Sequence, residues 1–259
     1  MVRYYRAFTS RQKTKKEHWL KIVRESNTLP IQINSSGEIL KAPIPKTAVS
    51  NFLNYISDTD TIFHQLIDKL RVEEDAMKYC TTRNISSGQT RTKNKNHHQS
   101  SKAMVSAVSN IAETFCSHHK ITINSDPQKR CVWHKENQLH ITARNLDGAI
   151  ASLMNPQIVW EIKEYWGKTK GGSKMSDAVY ECQLVGREIR EYEERSGEKI
   201  IHVVFIDGKE QWKYRASDFR RFIDLYVQGL IDHLIIGTQV ETDWLPLLEK
   251  TLLTNKKKR

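Results

Sequence analysis

The stretch from Ile141 to Trp166, ITARNLDGAIASLMNPQIVWEIKEYW, constrains this chain more than any other part of it. Two short runs, Asp147 to Ser152 and Ile158 to Trp166, flank the turn-like sequence LMNPQ, and the second run is rich in β-branched and aromatic residues. This pattern predicts a β-hairpin with its turn centred near Met154. Because the side-chain period of a strand is two, the position of the turn also decides which side chains face each other.

A turn centred near Met154 places Asp147 opposite Glu161 on the partner strand. Strand alternation then puts Glu161 and Lys163 on one face. The opposite face, which we expect to be buried, carries Ile158, Trp160 and Ile162. Two carboxylates and one ammonium therefore converge on one spot of the sheet, where like charges cost energy unless a cation lies between them. A divalent metal that prefers oxygen ligands is the natural occupant.

Two other interpretations compete with this one. An exposed cross-strand ion pair on a half-solvated sheet would use the same residue types without any metal. A second Asp-x-Lys triplet, Asp207-Gly208-Lys209, follows the apolar run IIHVVFI, but Asp-Gly at that place is typical of a hairpin turn or a strand end. Glu161 and Lys163 lie inside their predicted strand, where charge needs a reason, and the first triplet is therefore favoured.

An Asp followed after a hairpin by Glu-x-Lys on an apolar strand resembles the active-site signature of the PD-(D/E)XK nuclease superfamily, to which most type II restriction endonucleases belong. The resemblance extends roughly from Ser100 to Ile206, and Leu146 stands where the superfamily name has Pro, a departure that many members share. It implies an α/β fold class with a mixed sheet and a restriction-endonuclease-like αβββαβ core. A mostly helical N-terminal region would precede that core.

The predicted elements follow the same order. Helical spacing of apolar residues runs from Lys102 to His118. Two strand-like runs follow, CVWHKE and QLHITAR, and we expect the second to be the first strand of the catalytic sheet. After the hairpin, a helix capped by Ser176 runs from Asp177 to about Arg195 and stops at Gly197. The run IIHVVFI is apolar throughout, which is typical of a central strand covered on both faces.

Further elements are predicted on either side of this core. Upstream, after Pro43 and Pro45, the apolar spacing from Phe52 to Leu70 predicts one or two helices. Downstream, the pattern predicts a helix from Ser217 to Leu230, a strand HLIIGTQV and a helix from about Asp243 to Leu253.

The resemblance assigns roles to individual residues. It implies that Asp147 and Glu161 hold Mg²⁺ together with the backbone carbonyl of Ile162, and that cleavage leaves 5′-phosphates. Lys163 would orient or help to deprotonate the attacking water and stabilise the extra negative charge of the transition state. Glu113, on the helix before the hairpin, resembles an auxiliary metal ligand, although a solvent-facing helix charge explains it equally well.

The charge of the chain points to a polyanionic partner. Among 259 residues, Lys and Arg number 41 against 30 acids, a formal net charge of +11. Such a surface attracts nucleic acid. The charge is clustered in the N-terminal arm, in the acid-free segment from Ala76 to Ala112, and in the Gly-rich loop GKTKGGSK, which lacks the spacing of a P-loop. The predicted DNA-binding residues are Arg11, Lys13, Arg91, Lys93, Lys95, Lys168, Lys170 and Lys174. A solvated helix in the arm and a simple linker in the segment are the alternatives.

These observations predict that DNA recognition and DNA cleavage lie in different parts of the chain. Residues 1–99 would form a basic, mostly helical DNA-recognition region, and residues 100–259 the catalytic domain. We expect a Mg²⁺-dependent, sequence-specific endonuclease of double-stranded DNA, of the type II restriction kind, and a palindromic target would favour a homodimer. Two alternatives stay open: another nuclease of the superfamily that acts in repair, on junctions or on modified DNA, and a non-catalytic basic DNA-binding protein.

The remaining sequence signals concern compartment and zinc. The N-terminus lacks the apolar core of a signal peptide and no run approaches the length of a membrane span, so we expect a cytoplasmic protein. The four cysteines show no CxxC pair, which agrees with a reducing compartment. A zinc site is left open by two Cys-x-x-His pairs, namely Cys116 with His119 and Cys131 with His134.

Overall fold

The structure is a computed structural model that describes residues 21, 23–26, 28–33, 39–43, 45–90, 100–125, 129–167 and 172–253. The chain divides into two compact units, residues 1–62 and residues 63–259. The predicted boundary between residues 99 and 100 concerns which part recognises DNA and which part cuts it, and it stays a prediction.

The first unit contains a β-hairpin that the sequence did not reveal. Strand β1 (Thr28–Ile33) pairs antiparallel with β2 (Ile39–Pro43), and helix α1 (Lys46–Ile67) begins directly afterwards. A proline inside a run argues against a strand, and the pairing register shifts between Pro30 and Gln32, which accommodates that proline. The helix predicted from apolar spacing is confirmed.

The second unit consists of helices packed on both faces of a mixed sheet. Its helices are α2 (Glu73–Thr82), α3 (Ala103–His119), α4 (Gly172–Ser196), α5 (Lys209–Tyr214), α6 (Ala216–Val227) and α7 (Trp244–Leu253), with a 3₁₀ turn at Gly237–Glu241. Its strands are β3 (Ile123–Asn124), β4 (Arg130–Lys135), β5 (Gln138–Asn145), β6 (Gly148–Ile150), β7 (Ile158–Glu164), β8 (Ile201–Asp207) and β9 (His233–Ile236). Among the described residues, none of the helices is both long and apolar enough to cross a membrane.

The central sheet has five strands in the order β3-β6-β7-β8-β9. β3, β6 and β7 pair antiparallel, whereas β7, β8 and β9 pair parallel. Parallel neighbours need a crossover connection, which α4 provides between β7 and β8, and α5 with α6 between β8 and β9. The α/β class with a mixed sheet is therefore confirmed.

The expectation that QLHITAR is the first strand of this sheet is wrong. β5 pairs with β4 in a separate two-stranded sheet, and the short strand β3 pairs with β6 instead. The physical reason is exposure: Leu139 and Ile141 on one face of β5 are open to solvent, whereas strands of the central sheet are covered on both faces.

Several element boundaries also differ from the predictions. Helix α4 begins at Gly172, so Ser176 lies inside the helix and is not its cap. It ends at Ser196, and Gly197 follows with a φ of +69°, as predicted. The predicted strand HLIIGTQV ends at Ile236, where the 3₁₀ turn begins.

Two hydrophobic clusters cover the two faces of the sheet. On one face, α3 and α7 pack against Ile158 and Trp160 of β7. On the other face, α4 and the β4–β5 hairpin pack against Val159. The alternation predicted for β7 is therefore confirmed, and Glu161 and Lys163 follow Val159 on the α4 face.

The second triplet lies at the end of a strand. Asp207 is fully buried and accepts hydrogen bonds from the backbone N–H of Arg71 at 2.8 Å and from its Nε at 2.7 Å. Gly208 has a φ of +111°, and a Cβ there would lie 1.8 Å from the carbonyl oxygen of Tyr165. Only glycine fits this close approach. Asp207-Gly208 joins strand β8 to helix α5, so it ends a strand and does not close a hairpin.

Candidate functional site

The β6–β7 hairpin brings Asp147 opposite Glu161, in the predicted register. The last paired residues are Gly148 and Trp160, so the next position along the two strands joins Asp147 to Glu161. The N–H of Asp147 donates to the carbonyl oxygen of Trp160 at 3.0 Å, and its Oδ2 accepts from the N–H of Ile162 at 2.7 Å. The Asp147 side chain therefore extends the hydrogen-bond ladder one residue before the start of β6.

Glu161 and Lys163 form a buried ion pair on the α4 face of β7. The Nζ atom of Lys163 lies 2.7 Å from Oε2 of Glu161 and 3.1 Å from Oε2 of Glu181 on α4. The side chains of Glu161 and Lys163 are only 3% and 7% exposed. Buried charges need partners of opposite sign, and Glu161 and Lys163 serve as partners for each other.

Charge pairing decides the protonation of this pair. Burial alone would raise the pKa of Glu161, but the Lys163 ammonium and the His202 side chain outweigh it and hold that pKa at about 2. Burial lowers the pKa of Lys163, but its interactions with Cys182, Glu161 and Glu181 raise that pKa well above its ordinary value. Burial also raises the pKa of Cys182 well above its ordinary value, so this thiol is neutral near pH 7 and the carboxylates keep Lys163 charged.

The ion pairs continue from Lys163 toward the surface. Glu181 accepts from Nη1 of Arg144 on β5 at 2.7 Å, and these two side chains are 28% and 38% exposed. At the start of α4, exposed Lys174 places its Nζ 4.9 Å from the ring centroid of Tyr165. The buried pair is thus bordered by basic groups that face solvent.

Glu113 does not join this cluster. Helix α3 packs on the sheet face that carries Ile158 and Trp160, whereas Glu161 lies on the α4 face. Glu113 is exposed, and its carboxylate contacts the hydroxyl of Ser125. The structure therefore separates Glu113 from the predicted metal ligands, and a solvent-facing helix charge accounts for its position.

Glu164 takes an unpredicted role at the N-terminus of α3. Its carboxylate accepts from the backbone N–H of Met104 at 2.8 Å, from that of Val105 at 3.4 Å and from Nε1 of Trp166 at 3.0 Å. Burial raises the pKa of Glu164 to about 7, although these donors oppose the change. Glu164, the last residue of β7, therefore binds the first turn of helix α3.

Most of the residues predicted to contact DNA lie outside the described part of the chain. Lys174 is described, whereas Arg11, Lys13, Arg91, Lys93, Lys95, Lys168 and Lys170 are outside it.

The four residues of the possible zinc site lie apart. Cys116 packs in the cluster on the α3 face of the sheet, and Cys131 in the cluster on the α4 face. Burial raises the pKa of these thiols to about 11 and about 12. His134 on β4 is exposed, and the ring of His119 lies tilted against that of Phe115 on α3, with 4.5 Å between the ring centroids. Within residues 45–90, 100–125, 129–167, 172–253 and the shorter described segments, no three His, Cys, Asp or Glu side chains form a metal-binding group.

The oxygen atoms beside β7 nevertheless suit a hard divalent cation. Oε1 of Glu161 is buried and lacks a hydrogen-bond partner among the described residues, whereas Oε2 bonds Lys163. Asp147 is partly exposed beside it, and the carbonyl of Ile162 points to the same side of the strand as its N–H, toward Asp147. Two carboxylates and one carbonyl are ligand types that Mg²⁺ accepts, with water or phosphate oxygens as the remaining ligands.

Three residues of this cluster escaped the sequence analysis. Arg144 and Glu181 reach Lys163 from β5 and α4, and nothing in their spacing indicates that contact. His202 did leave a signal, because it is the one polar residue in the run IIHVVFI. Its Nε2 lies 3.7 Å from Oε1 of Glu161.

Comparison with known proteins provides a family and no activity. The model of the family described as "Domain of unknown function (DUF7687)" matches residues 59–251, more than half of the chain, including Asp147, Glu161 and Lys163. No curated protein matches the chain, and no solved structure matches it.

Proposed function

The chain belongs to the family described as Domain of unknown function (DUF7687), and we propose that it is a metal-dependent endonuclease of double-stranded DNA with a PD-(D/E)XK site. The observation that carries the proposal is the meeting of Asp147, Glu161 and Lys163 on adjacent strands, in the register that the signature requires. The helix before the hairpin and the parallel strand after α4 agree with a restriction-endonuclease-like core.

The proposed roles follow from the positions of these groups. Asp147, Glu161 and the carbonyl of Ile162 would hold Mg²⁺, which supplies positive charge beside the scissile phosphate and lowers the pKa of a water. Lys163 would orient that water and stabilise charge that develops on the phosphate. Interactions with Cys182 and with the carboxylates of Glu161 and Glu181 raise the pKa of Lys163, which favours a role as a cation. Cleavage would leave 5′-phosphates.

Recognition would rest on the basic groups. Lys174 stands exposed beside the site, and the other predicted contacts belong to the arm, the acid-free segment and the Gly-rich loop. Phosphate contacts by Lys and Arg give affinity, and the Arg, Lys, Asn and Gln side chains of the acid-free segment suit base edges in the major groove. Sequence-specific cutting of the type II restriction kind, by a homodimer on a palindrome, is the preferred form of the proposal.

One observation favours a second candidate, a basic DNA-binding protein without catalysis. The carboxylates of Glu161 and Glu181 already form ion pairs with Lys163, and Glu161 is almost fully buried. A continuous ion chain from Arg144 through Glu181 and Lys163 to Glu161 has a structural use without any reaction.

Digestion of plasmid DNA separates these candidates. Purified protein should yield discrete fragments with Mg²⁺ and none with EDTA, and sequencing the ends should show 5′-phosphates at one site. Glu161→Gln and Lys163→Met should lose this cleavage while still binding DNA. Glu113→Gln, which changes the same functional group on the far face of the sheet, should cut like the parent.

The other outcomes identify the alternatives. Cutting confined to branched or modified DNA would indicate another nuclease of the superfamily. DNA binding without cutting on plasmid, branched and modified substrates would support the non-catalytic candidate and overturn the proposal.

A further inference from the structure

Two buried polar atoms face each other on the β8 side of Glu161. Nε2 of His202 lies 3.7 Å from Oε1 of Glu161, and the two side chains are 0% and 3% exposed. Neither atom has a hydrogen-bond partner among the described residues. The gap is too long for a hydrogen bond, and each atom has lost its contact with water.

The tautomer of His202 makes this gap informative. Nδ1 lies 3.0 Å from the carbonyl oxygen of Leu230. A carbonyl only accepts, so Nδ1 carries a proton, and Nε2 is the ring nitrogen that faces the Glu161 carboxylate and could bind a metal ion there. Histidines that bind metals commonly donate their other ring N–H to a backbone carbonyl in this way.

The geometry points to a nitrogen ligand for the metal site, in which His202 Nε2 and Glu161 Oε1 share one divalent transition-metal ion. Ligands at about 2.1 Å from one ion lie about 3.0 to 3.4 Å apart, so the observed gap closes with a shift of a few tenths of an ångström. Imidazole nitrogen is a poor ligand for Mg²⁺ and a good one for Mn²⁺, Co²⁺ or Zn²⁺. The site should therefore prefer a first-row transition ion such as Mn²⁺ over Mg²⁺.

The surrounding charges are compatible with this ion. Lys163 bonds Oε2 of Glu161 and leaves Oε1 to face His202. Glu181 shares the Lys163 ammonium and so offsets part of the repulsion between it and a second cation. With Asp147 on the opposite side, Glu161 would be the common ligand between the exposed rim and the buried histidine.

This inference rests on the proposed function for the premise that Glu161 is a metal ligand, but its test needs no DNA. Tag-free full-length protein is loaded with Mn²⁺ alone, and pulsed electron paramagnetic resonance records nitrogen coupled to the ion. The unaltered protein should show a ¹⁴N coupling, which changes to the ¹⁵N pattern when only histidine is labelled with ¹⁵N. No variant is needed for this step, so absence of a histidine nitrogen coupling overturns the inference.

A variant then identifies the histidine. His202→Gln should lose the coupling and bind Mn²⁺ about tenfold or more weakly, while its affinity for Mg²⁺ changes far less. The matched control is His140→Gln, because His140 is also partly buried but stacks on Trp133 and Tyr192, away from Glu161. Circular dichroism and thermal unfolding report whether each variant is folded.

The outcomes separate this inference from the proposed function. Nitrogen coupling that His202→Gln removes, in a protein that cuts no DNA, would support the site and overturn the nuclease. Cleavage with Mg²⁺ without any histidine coupling to Mn²⁺ would support the nuclease and overturn the site. Coupling that survives in folded His202→Gln would place the ion at another histidine and overturn the inference as well.

Discussion

Asp147 accepts a hydrogen bond from the backbone N–H of Ile162 at 2.7 Å, although β6 itself begins only at Gly148. The carboxylate thus has a structural use beside its proposed metal ligation. Asp147→Asn keeps an acceptor oxygen and should change the free energy of unfolding by less than about 1 kcal/mol. Asp147→Ala removes the charge-assisted bond and should cost about 1.5 to 3 kcal/mol.

Cleavage should respond differently from stability in these two variants. Both remove the negative charge, so both should lose Mg²⁺-dependent cutting, as measured by plasmid digestion beside urea unfolding. Full activity in folded Asp147→Asn would show that the carboxylate serves the ladder alone.

The Glu161–Lys163 pair should behave as one unit. Lys163→Met alone leaves the buried Glu161 carboxylate without its ammonium partner and should cost about 3 to 5 kcal/mol, whereas Glu161→Gln should cost less, because Lys163 keeps Glu181 at 3.1 Å. The double variant should cost clearly less than the two singles together, because no uncompensated charge remains. A double-mutant cycle by urea unfolding measures this coupling.

The matched control for that cycle is the surface pair Lys135–Glu198, which has a similar distance of 2.8 Å but is 42% and 50% exposed. Its coupling should be far smaller than that of the buried pair, because solvent screens exposed charges. Equal couplings in the two cycles would contradict the importance assigned to burial.

Asp207 should matter for stability and not for chemistry. Asp207→Asn weakens the fully buried contact with Arg71 and should cost about 3 to 5 kcal/mol. At a temperature where the variant is still folded, its cleavage rate per folded molecule should match that of the parent. A folded but inactive Asp207→Asn would make the second triplet the catalytic one.

Glu164 should make stability fall as the pH rises toward neutrality. Its pKa is raised from 4.5 to about 7 in the folded protein, so folding favours the protonated acid. The stabilisation is fully present below the unfolded pKa of 4.5 and is lost as the pH rises through about 7. Glu164→Gln does not titrate, so urea unfolding should show a flatter pH profile between those values. Parallel profiles for parent and variant would contradict the raised pKa.

DNA affinity should weaken steeply with salt, because bound Lys and Arg release counterions from DNA. Replacing Lys93 and Lys95 together by alanine should reduce the slope of log affinity against log salt by about 2. Lys135→Ala is the control, since Lys135 is already paired with Glu198. An unchanged slope in the double variant would mean that this segment is a linker.

The sequence was most informative where local chemistry decides structure. The turn centred near Met154 was enough to place Asp147 opposite Glu161, because the strand period leaves no freedom once the turn is known. Gly197 marked the end of α4 for an equally local reason, its positive φ. The strand predicted at QLHITAR does form, as β5, but a strand-like run looks the same whichever sheet it joins.

Tertiary placement decided what the sequence left open. The apolar stripe of α3 predicted a buried helix, but not that this helix, which carries Glu113, covers the sheet face away from Glu161. The contacts of Glu161 with His202 and of Lys163 with Glu181 join segments that only the parallel crossover brings together. Such contacts have no signature in local spacing.

The close approach of Gly208 to the backbone of Tyr165 bears on how relatives of this chain should be grouped. Any side chain there would clash with the backbone of Tyr165. Each relative in which the ends of β7 and β8 approach in the same way should therefore keep glycine at this position, whatever reaction that relative performs. Asp147, Glu161 and Lys163 carry no such steric demand. An alignment should therefore show glycine as a marker of the shared fold, while loss of the three charged residues among relatives that retain it would mark members without the proposed reaction.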